Sequence, residues 1–307
     1  MPELPEVETV RAGLAKSMTG ATITGIKIHD ARSLKRHLSG PADFKSKLLG
    51  AKVLDVVRRG KFLWLPLNTG QSALVGHLGM SGQMLIRTAD YPADNLNRIT
   101  IEFESKSGKP LELRFVDQRI FGSLAIDDLV ATRDGGAGGF SAGKNRSKPW
   151  QDLIPVSAAH IARDPLDEAF DQEAVIAKMR GKKSGIKRVI LDQNLISGIG
   201  NIYADESLWL AKLHFDRSTD GLSKAKLTEL IEISKQVLEA AVKQGGTSFD
   251  QQYKNVNGEA GYFSQQLYAY GQTDKPCQRC QTPIRRQAWA NRGSHFCPKC
   301  QRPSQRS

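Results

Sequence analysis

The chain has 307 residues, 39% of them hydrophobic, and 44 lysines and arginines against 32 acids give a formal charge of +12. This is length for two domains with a real core, and the basic excess favours a polyanionic partner such as nucleic acid, with an indifferent basic surface as the plain alternative. No apolar run approaches the roughly 20 residues that span a bilayer, and no basic leader with an apolar core opens the chain, so a cytosolic protein without membrane association is expected.

The opening MPELPEVE places Pro5 at the first turn of a predicted helix over 5–18. Glu6 and Glu8 suit the positive end of its dipole, and Val7, Val10 and Leu14 recur at helical spacing. Proline is small enough for the initiator methionine to be removed, which would leave Pro2 with a free secondary amine. Such an amine titrates near neutrality. It can attack a sugar aldehyde carbon to give an iminium, with Glu3 beside it to give or take a proton. The plainer reading is a helix start with ordinary acids.

From 21 to 126 short apolar or β-branched runs, among them ATITGIKI, KFLWLPL, SALVGHL, RITIEF and LELRFVD, alternate with turn residues and predict a β-sandwich or barrel. Lys61 lies in the basic turn RRGK, which is a solvated hairpin unless it meets an anion. Met80 follows a strand within GHLGMSG, and Arg119 and Phe121 stand in DQRIFG. Residues 132–150 are rich in Gly, Ser and Lys. Gly138 to Lys144 nearly spells a P-loop, but Asn145 replaces the magnesium-binding Ser or Thr, and a flexible insertion is expected instead.

From about 165 the apolar spacing is helical through DEAFDQEAVIAKMRG, GIKRVILDQ, NIYADESLWLAKL and SKAKLTELIEISKQVLEAAVKQ, and Gly245-Gly246 ends the series. KKSGIK offers Lys182 and Lys187, otherwise a solvated charge run. SGIGNIYADE puts glycines before Asn201 at a helix N-terminus, where amides can meet phosphate and where an asparagine also serves as a cap. A loop, TSFDQQYKNVNGEAGYF, leads to the cysteines. All four, Cys277, Cys280, Cys297 and Cys300, are spaced C-x2-C, sixteen residues, C-x2-C. That suits one tetrahedral zinc without an open position, hence structural, and a reducing cytosol disfavours two disulfides. Arg292 sits in NRGS, the expected turn between the two pairs.

PELPEVETV resembles the opening of the bacterial formamidopyrimidine-DNA glycosylases. The similarity runs in order through RRGKFLWL, HLGMSG, DQRIFG, SGIGNIYADE, GGTSFD, GYF and CQRC…NRGSHFCPKC, nearly the whole chain. The resemblance implies an α+β multidomain fold: an N-terminal helix plus β-sandwich over 1–131, an insertion and linker over 132–164, a helix-two-turn-helix domain over 165–250, and over 251–307 a lesion-loop segment with a zinc-binding β-hairpin at about 267–301. It implies Pro2 as nucleophile and Schiff-base former, Glu3 as the acid that helps open the sugar, and Lys61 as a catalytic residue near the N-terminus that bonds the lesion-flanking phosphate and has a role in proton transfer. Arg292 is implied in phosphate binding and the second elimination. Glu6, Lys182, Lys187 and Asn201 match further DNA-binding positions.

Met80, Arg119 and Phe121 match residues that fill the void left by an extruded base, Arg119 pairing with the orphaned cytosine and Phe121 wedging the opposite strand. Gln118 and Ile120 replace a proline and a second arginine frequent in relatives. In NLNR, 95–98, Leu96 and Asn97 do not reproduce a DNA-contacting histidine found in many of them; Arg98 is left as the residue that could compensate, and that site is not carried over.

The function implied is a bifunctional glycosylase and abasic-site lyase of base excision repair. It would act on oxidised purines in damaged double-stranded DNA, as a monomer of the bacterial cytosol or nucleoid, with one structural Zn2+. The rivals are an endonuclease VIII-type enzyme for oxidised pyrimidines, against which Leu4 and the Met80, Arg119, Phe121 set argue, and a non-catalytic zinc protein that binds damaged DNA.

Overall fold

The computed structural model describes residues 2–141, 146–247, 256 and 267–303. Its contacts group into two units, Met1–His160 with Gly245–Tyr262, and Ile161–Gln244 with Phe263–Ser307. No described helix is long and apolar enough to cross a membrane.

The first unit opens with helix α1, Leu4–Met18, followed by β1 (Thr22–Ile28) and α2 (Gly40–Leu48). The strands β2 (Val57–Arg59), β3 (Phe62–Pro66), β4 (Ser72–His77), β5 (Gly82–Arg87), β6 (Asn97–Glu104), β7 (Pro110–Asp117), β8 (Ser123–Ala131) and β9 (Leu153–Pro155) complete it. They form two antiparallel sheets, ordered β1-β6-β7-β5 and β2-β3-β4-β8-β9.

Side chains alternate across a strand with period two, and both faces of β3 are buried. Leu63 and Leu65 enter the main core with Leu74, Ile99, Ile101, Phe103, Leu113 and Phe115. Val7, Val10, Leu14 and Met18 add the apolar stripe of α1 to the same core. Trp64 points the other way, into a second cluster with Val57, Val75, Ile154 and Ala158.

That second cluster changes the reading of the insertion. Strand β9, Ile154 and Ala158 belong to the linker that follows, and within 132–150, where the sequence suggested flexible chain, Phe140 bridges Arg58 and Trp150 packs against the cluster. Residues 142–145, which include the Gly143-Lys144 end of the P-loop-like match, lie outside the described residues. Helix α2 escaped the sequence reading, although Pro41 in its first turn and the buried pair Phe44 and Leu48, four apart, are helix signals.

The second unit holds α3 (Gln172–Arg180), α4 (Ile186–Ile190), α5 (Asn201–Leu210), α6 (Lys224–Lys243) and the hairpin β10 (Arg285–Trp289) and β11 (Arg292–Phe296). Asp171 and Ser223 cap α3 and α6 by accepting from Ala174 N and Lys226 N. Between α4 and α5 the Gln193 side chain accepts from Gly198 N at 3.0 Å and donates to Ile199 O at 2.9 Å. This braces the double turn, where Gly198 takes φ 90. The hairpin turns through Ala290 and Asn291, at φ 43 and 61. These are the left-handed values a two-residue turn of primed type requires.

Candidate functional site

In the first unit Pro2 and Glu3 lie buried just ahead of α1. Glu6 reaches back, and its Oε2 accepts from Glu3 N at 2.8 Å. Its Oε1 accepts from Thr247 N and Thr247 Oγ1 at 2.7 and 3.0 Å. Glu6, expected among the DNA-binding residues, therefore spends both oxygens inside the protein. Glu8 is the next acid on α1. It chelates Arg11 and also accepts from Arg58 Nε at 3.0 Å. Arg58 in β2 donates in turn to Gly60 O at 3.2 Å. Arg59 pairs with Phe62 across the β2–β3 hairpin, so Gly60 and the half-buried Lys61 form its turn, with Gly60 at φ 55. One arginine thus links the helix that carries Pro2 and Glu3 to the turn that carries Lys61.

Met80, Arg119 and Phe121 are all exposed, Met80 and Phe121 by more than two fifths of their surface. Asp117, fully buried, organises the loops that carry them. It accepts from Ser81 Oγ at 2.5 Å, Arg119 N at 3.1 Å and Gly122 N at 2.7 Å. The loops touch so closely that a Cβ at Gly79 would lie 2.5 Å from the Phe121 carbonyl carbon. Ile120 takes φ 54, uncommon for a β-branched residue, and its carbonyl accepts from Lys35 Nζ at 2.6 Å. Arg98, the residue that could compensate for the missing histidine, is partly buried. Its guanidinium bonds Asp117 O at 2.8 Å and Asp30 Oδ2 at 3.2 Å.

The sequence reading passed over His77, although it lies within the quoted HLGMSG. Burial, with Arg36 and Lys35 nearby, pushes its imidazole down to about 4, so it is neutral at pH 7.

In the second unit Lys182, with Lys183, Arg188, Trp289 and the exposed Arg292, lines a cavity of about 620 Å³. Lys182 Nζ rests 3.1 Å from Asp192 Oδ2 and stays partly exposed. Lys187 is elsewhere. Its side chain is wholly enclosed, and Nζ donates to Asp205 Oδ1 at 2.6 Å, Ser294 Oγ at 2.8 Å and Gly293 O at 3.3 Å. A phosphate cannot reach an ammonium so enclosed, which departs from the expected direct contact. Asn201 Nδ2 also donates to Gly293 O, at 3.0 Å, and Asp205 Oδ2 accepts from His295 N at 2.9 Å. These bonds fasten the first residues of β11, next to Arg292, to α5.

The sulfurs of Cys277, Cys280, Cys297 and Cys300 all lie within 4.8 Å of one another, with Cys280 to Cys297 at 3.4 Å and Cys280 to Cys300 at 3.5 Å. A tetrahedral zinc with Zn–S near 2.3 Å sets sulfur edges of about 3.8 Å, so the cluster fits the ion. Hydrogen bonds from Thr282 hold the Cys280 thiol down to about 6, while burial and the neighbouring sulfurs push Cys300 up to about 12. Four thiolates need a cation to coexist, and a divalent ion supplies it. With four protein ligands the zinc is structural. Cys277 and Cys297 pack on Trp209, Ala269 and Ile284, and Gln301 ties Cys297 N to Leu213 O.

Residues 1–124 match the formamidopyrimidine-DNA glycosylase N-terminal domain, 161–252 the formamidopyrimidine-DNA glycosylase H2TH domain, and 274–303 the zinc finger found in FPG and IleRS. That succession defines a zinc-finger DNA glycosylase of base excision repair. The formamidopyrimidine-DNA glycosylase of Leifsonia xyli subsp. xyli is 52% identical over 98% of this chain and 100% of its own length. That of Rhodococcus opacus is 50% identical over 100% and 99%. A solved complex between the Lactococcus lactis Fpg and an abasic site containing DNA superposes with a TM-score of 0.79 at 31% identity, covering 98% of this chain and 99% of that one. A complex of the same protein with a FAPY-dG containing DNA gives 0.78. The chain belongs to the formamidopyrimidine-DNA glycosylase family, as the resemblance of its ordered motifs, from PELPEVETV to NRGSHFCPKC, implied.

Proposed function

We propose that the chain excises oxidised purines, 8-oxoguanine and formamidopyrimidines, from duplex DNA and then cuts the abasic site. Removal of Met1 frees the Pro2 amine. Its nitrogen attacks C1′ of the flipped nucleotide, the glycosidic bond breaks, and the base leaves with its bonding pair. The product at C1′ loses the amine proton and its C1′–O4′ bond breaks as O4′ is protonated, which gives an iminium; this acidifies the neighbouring C–H, so the 3′- and then the 5′-phosphate are eliminated. Glu3 transfers a proton as the sugar ring opens. Lys61 holds the flanking phosphate as a point cation. Arg292 and Asn201 bind phosphate, and Arg292 assists the second elimination. Lys182 adds a salt-sensitive contact. Met80, Arg119 and Phe121 occupy the vacated stack. Glu6 and Lys187 serve DNA through the segments they fasten.

The observation that carries this reading is the tie between the Pro2–Glu3 helix and the Lys61 turn, through Glu8 and Arg58. The solved Lactococcus complexes, with abasic and FAPY-dG DNA, are named for substrates of this kind. We further take the enzyme to act as a monomer in a bacterial cytosol; the relatives named above are bacterial proteins.

The deciding experiment is borohydride trapping on a duplex with 8-oxoguanine opposite cytosine. A covalent adduct of the parent, absent in Pro2→Gly although duplex binding persists, is expected. Equal trapping in both proteins would remove Pro2 from the mechanism, and mass spectrometry showing Met1 retained would favour a non-catalytic DNA-binding role.

A further inference from the structure

The Gly-rich stretch after β8 has no part in the reading above, yet it is built into the sheet. Thr132 Oγ1 donates to Gly136 O at 2.7 Å, and Gly138 N donates to Gln151 O at 2.7 Å. Phe140 then pairs with Arg58 in both directions, N to O at 2.7 Å and O to N at 3.0 Å. This covers β2, the edge strand of its sheet, whose polar groups would otherwise face outward.

Only glycine permits so close an approach. A Cβ at Gly138 would lie 1.9 Å from Leu153 O, and one at Gly139 would lie 2.4 Å from Arg58 O and 2.7 Å from the Trp64 ring. Arg59 NH2 adds a bond to Ala137 O at 2.9 Å.

The Phe140 ring faces two cations. The Arg11 and Arg58 guanidinium carbons lie 5.2 and 5.6 Å from its centre. Both arginines bond Glu8, and the negative face of the Phe140 ring attracts their guanidinium groups as well. Arg58, 1% exposed, thereby joins three things: α1 through Glu8, the hairpin turn through Gly60 O, and the strap through Phe140. Lys61 follows Gly60 directly.

We propose that Phe140 is a positioning residue, and that the strap 136–140 sets the β2–β3 turn against α1 and so aims the Lys61 ammonium. This rests on the reading that Lys61 takes part in the chemistry.

The test measures single-turnover excision of 8-oxoguanine and duplex Kd, on the full chain, for the parent, Phe140→Ala, Phe140→Leu, Phe140→Tyr, Lys61→Ala and Lys61→Ala/Phe140→Ala. A small misplacement of a catalytic group costs on the order of tenfold to a hundredfold in rate. Phe140→Ala and Phe140→Leu are therefore expected to slow excision about tenfold with Kd held within about twofold, and Phe140→Tyr to match the parent. Phe140→Leu keeps apolar cover and guards against an unfolded alanine variant. In the Lys61→Ala background the second substitution is expected to change the rate by less than about twofold.

A parent-like rate in Phe140→Leu, or a full multiplicative loss in the double variant, overturns the proposal. Lys61→Ala at the parent rate would instead refute the role of Lys61, and a parent that excises nothing would refute the proposed function.

Discussion

Glu6 and Thr247 stand 241 positions apart in sequence, yet one carboxylate oxygen of Glu6 accepts from both the amide and the hydroxyl of Thr247. The other oxygen holds Glu3 N at 2.8 Å. Gly246 permits the approach: it takes φ 83, and a Cβ there would lie 2.8 Å from Glu6 Oε1. A single side chain therefore fixes both the start of α1 and the last described residue before 248–255.

Glutamine at position 6 offers one acceptor where two are used. Glu6→Gln leaves a buried donor unsatisfied, at a cost of about 1–3 kcal/mol, and Thr247→Val costs about 1 kcal/mol by losing the hydroxyl alone. Urea unfolding of both variants and their combination measures this. Full additivity would mean the two residues do not communicate.

If Phe121 wedges a duplex opened by base flipping, Phe121→Ala slows excision of a paired lesion more than cutting at a preformed abasic site, where less stacking must be broken. The comparison needs only the ratio of the two rates, and an equal loss on both substrates argues against a wedge.

Lys187 and Lys182 should behave differently despite their closeness in sequence. Lys187→Ala leaves Asp205 without the Lys187 ammonium in a closed pocket, with the His295 ring and amide at its other oxygen, and a broken buried pair costs about 3–5 kcal/mol. Lys182→Ala should leave folding unchanged and lower the slope of log affinity against log salt by about one. Thermal melting and salt-dependent binding separate the two. A stable Lys187→Ala protein would show that the enclosed pair matters little.

Cys297→Ser should lose the zinc and with it the ordered turn that carries Arg292, because the metal supplies folding energy to so small a module. The β-sandwich unit has its own core and should keep its melting transition. Arg292→Ala should keep the zinc and the folded hairpin but impair both affinity and the second elimination. Metal content, calorimetry and DNA binding on both proteins check this, and a zinc-free Cys297→Ser that binds DNA normally would contradict it.

His77 makes stability depend on pH with a known sign. Its folded value lies near 4, and an unfolded histidine titrates near 6.5. As pH falls the unfolded chain takes the proton first, so this contribution is intact above about 6.5 and is lost towards about 4, by roughly 1–3 kcal/mol. His77→Asn should flatten the unfolding free energy over that interval, and an unchanged profile would remove the assignment.

Much of the molecule is legible without coordinates. The C-x2-C spacing puts four thiols in reach of one ion, because each pair sits on one tight turn. Pro5 and the Val7, Val10, Leu14 stripe specify α1, and alternation in the strands specifies a two-sheet core. These are local properties, set within a few residues of chain. What the tertiary structure alone decided are pairings across long separations. Glu6 and Lys187 look like surface charges in sequence, but they become buried fasteners because Thr247 in one case and Asp205, Gly293 and Ser294 in the other are brought to them by folding. The Gly-Gly before Phe140 looks like flexible linker for the same reason. Glycine's freedom suits disorder and close packing equally, and only the backbone of Arg58 and Leu153 lying against it selects the second.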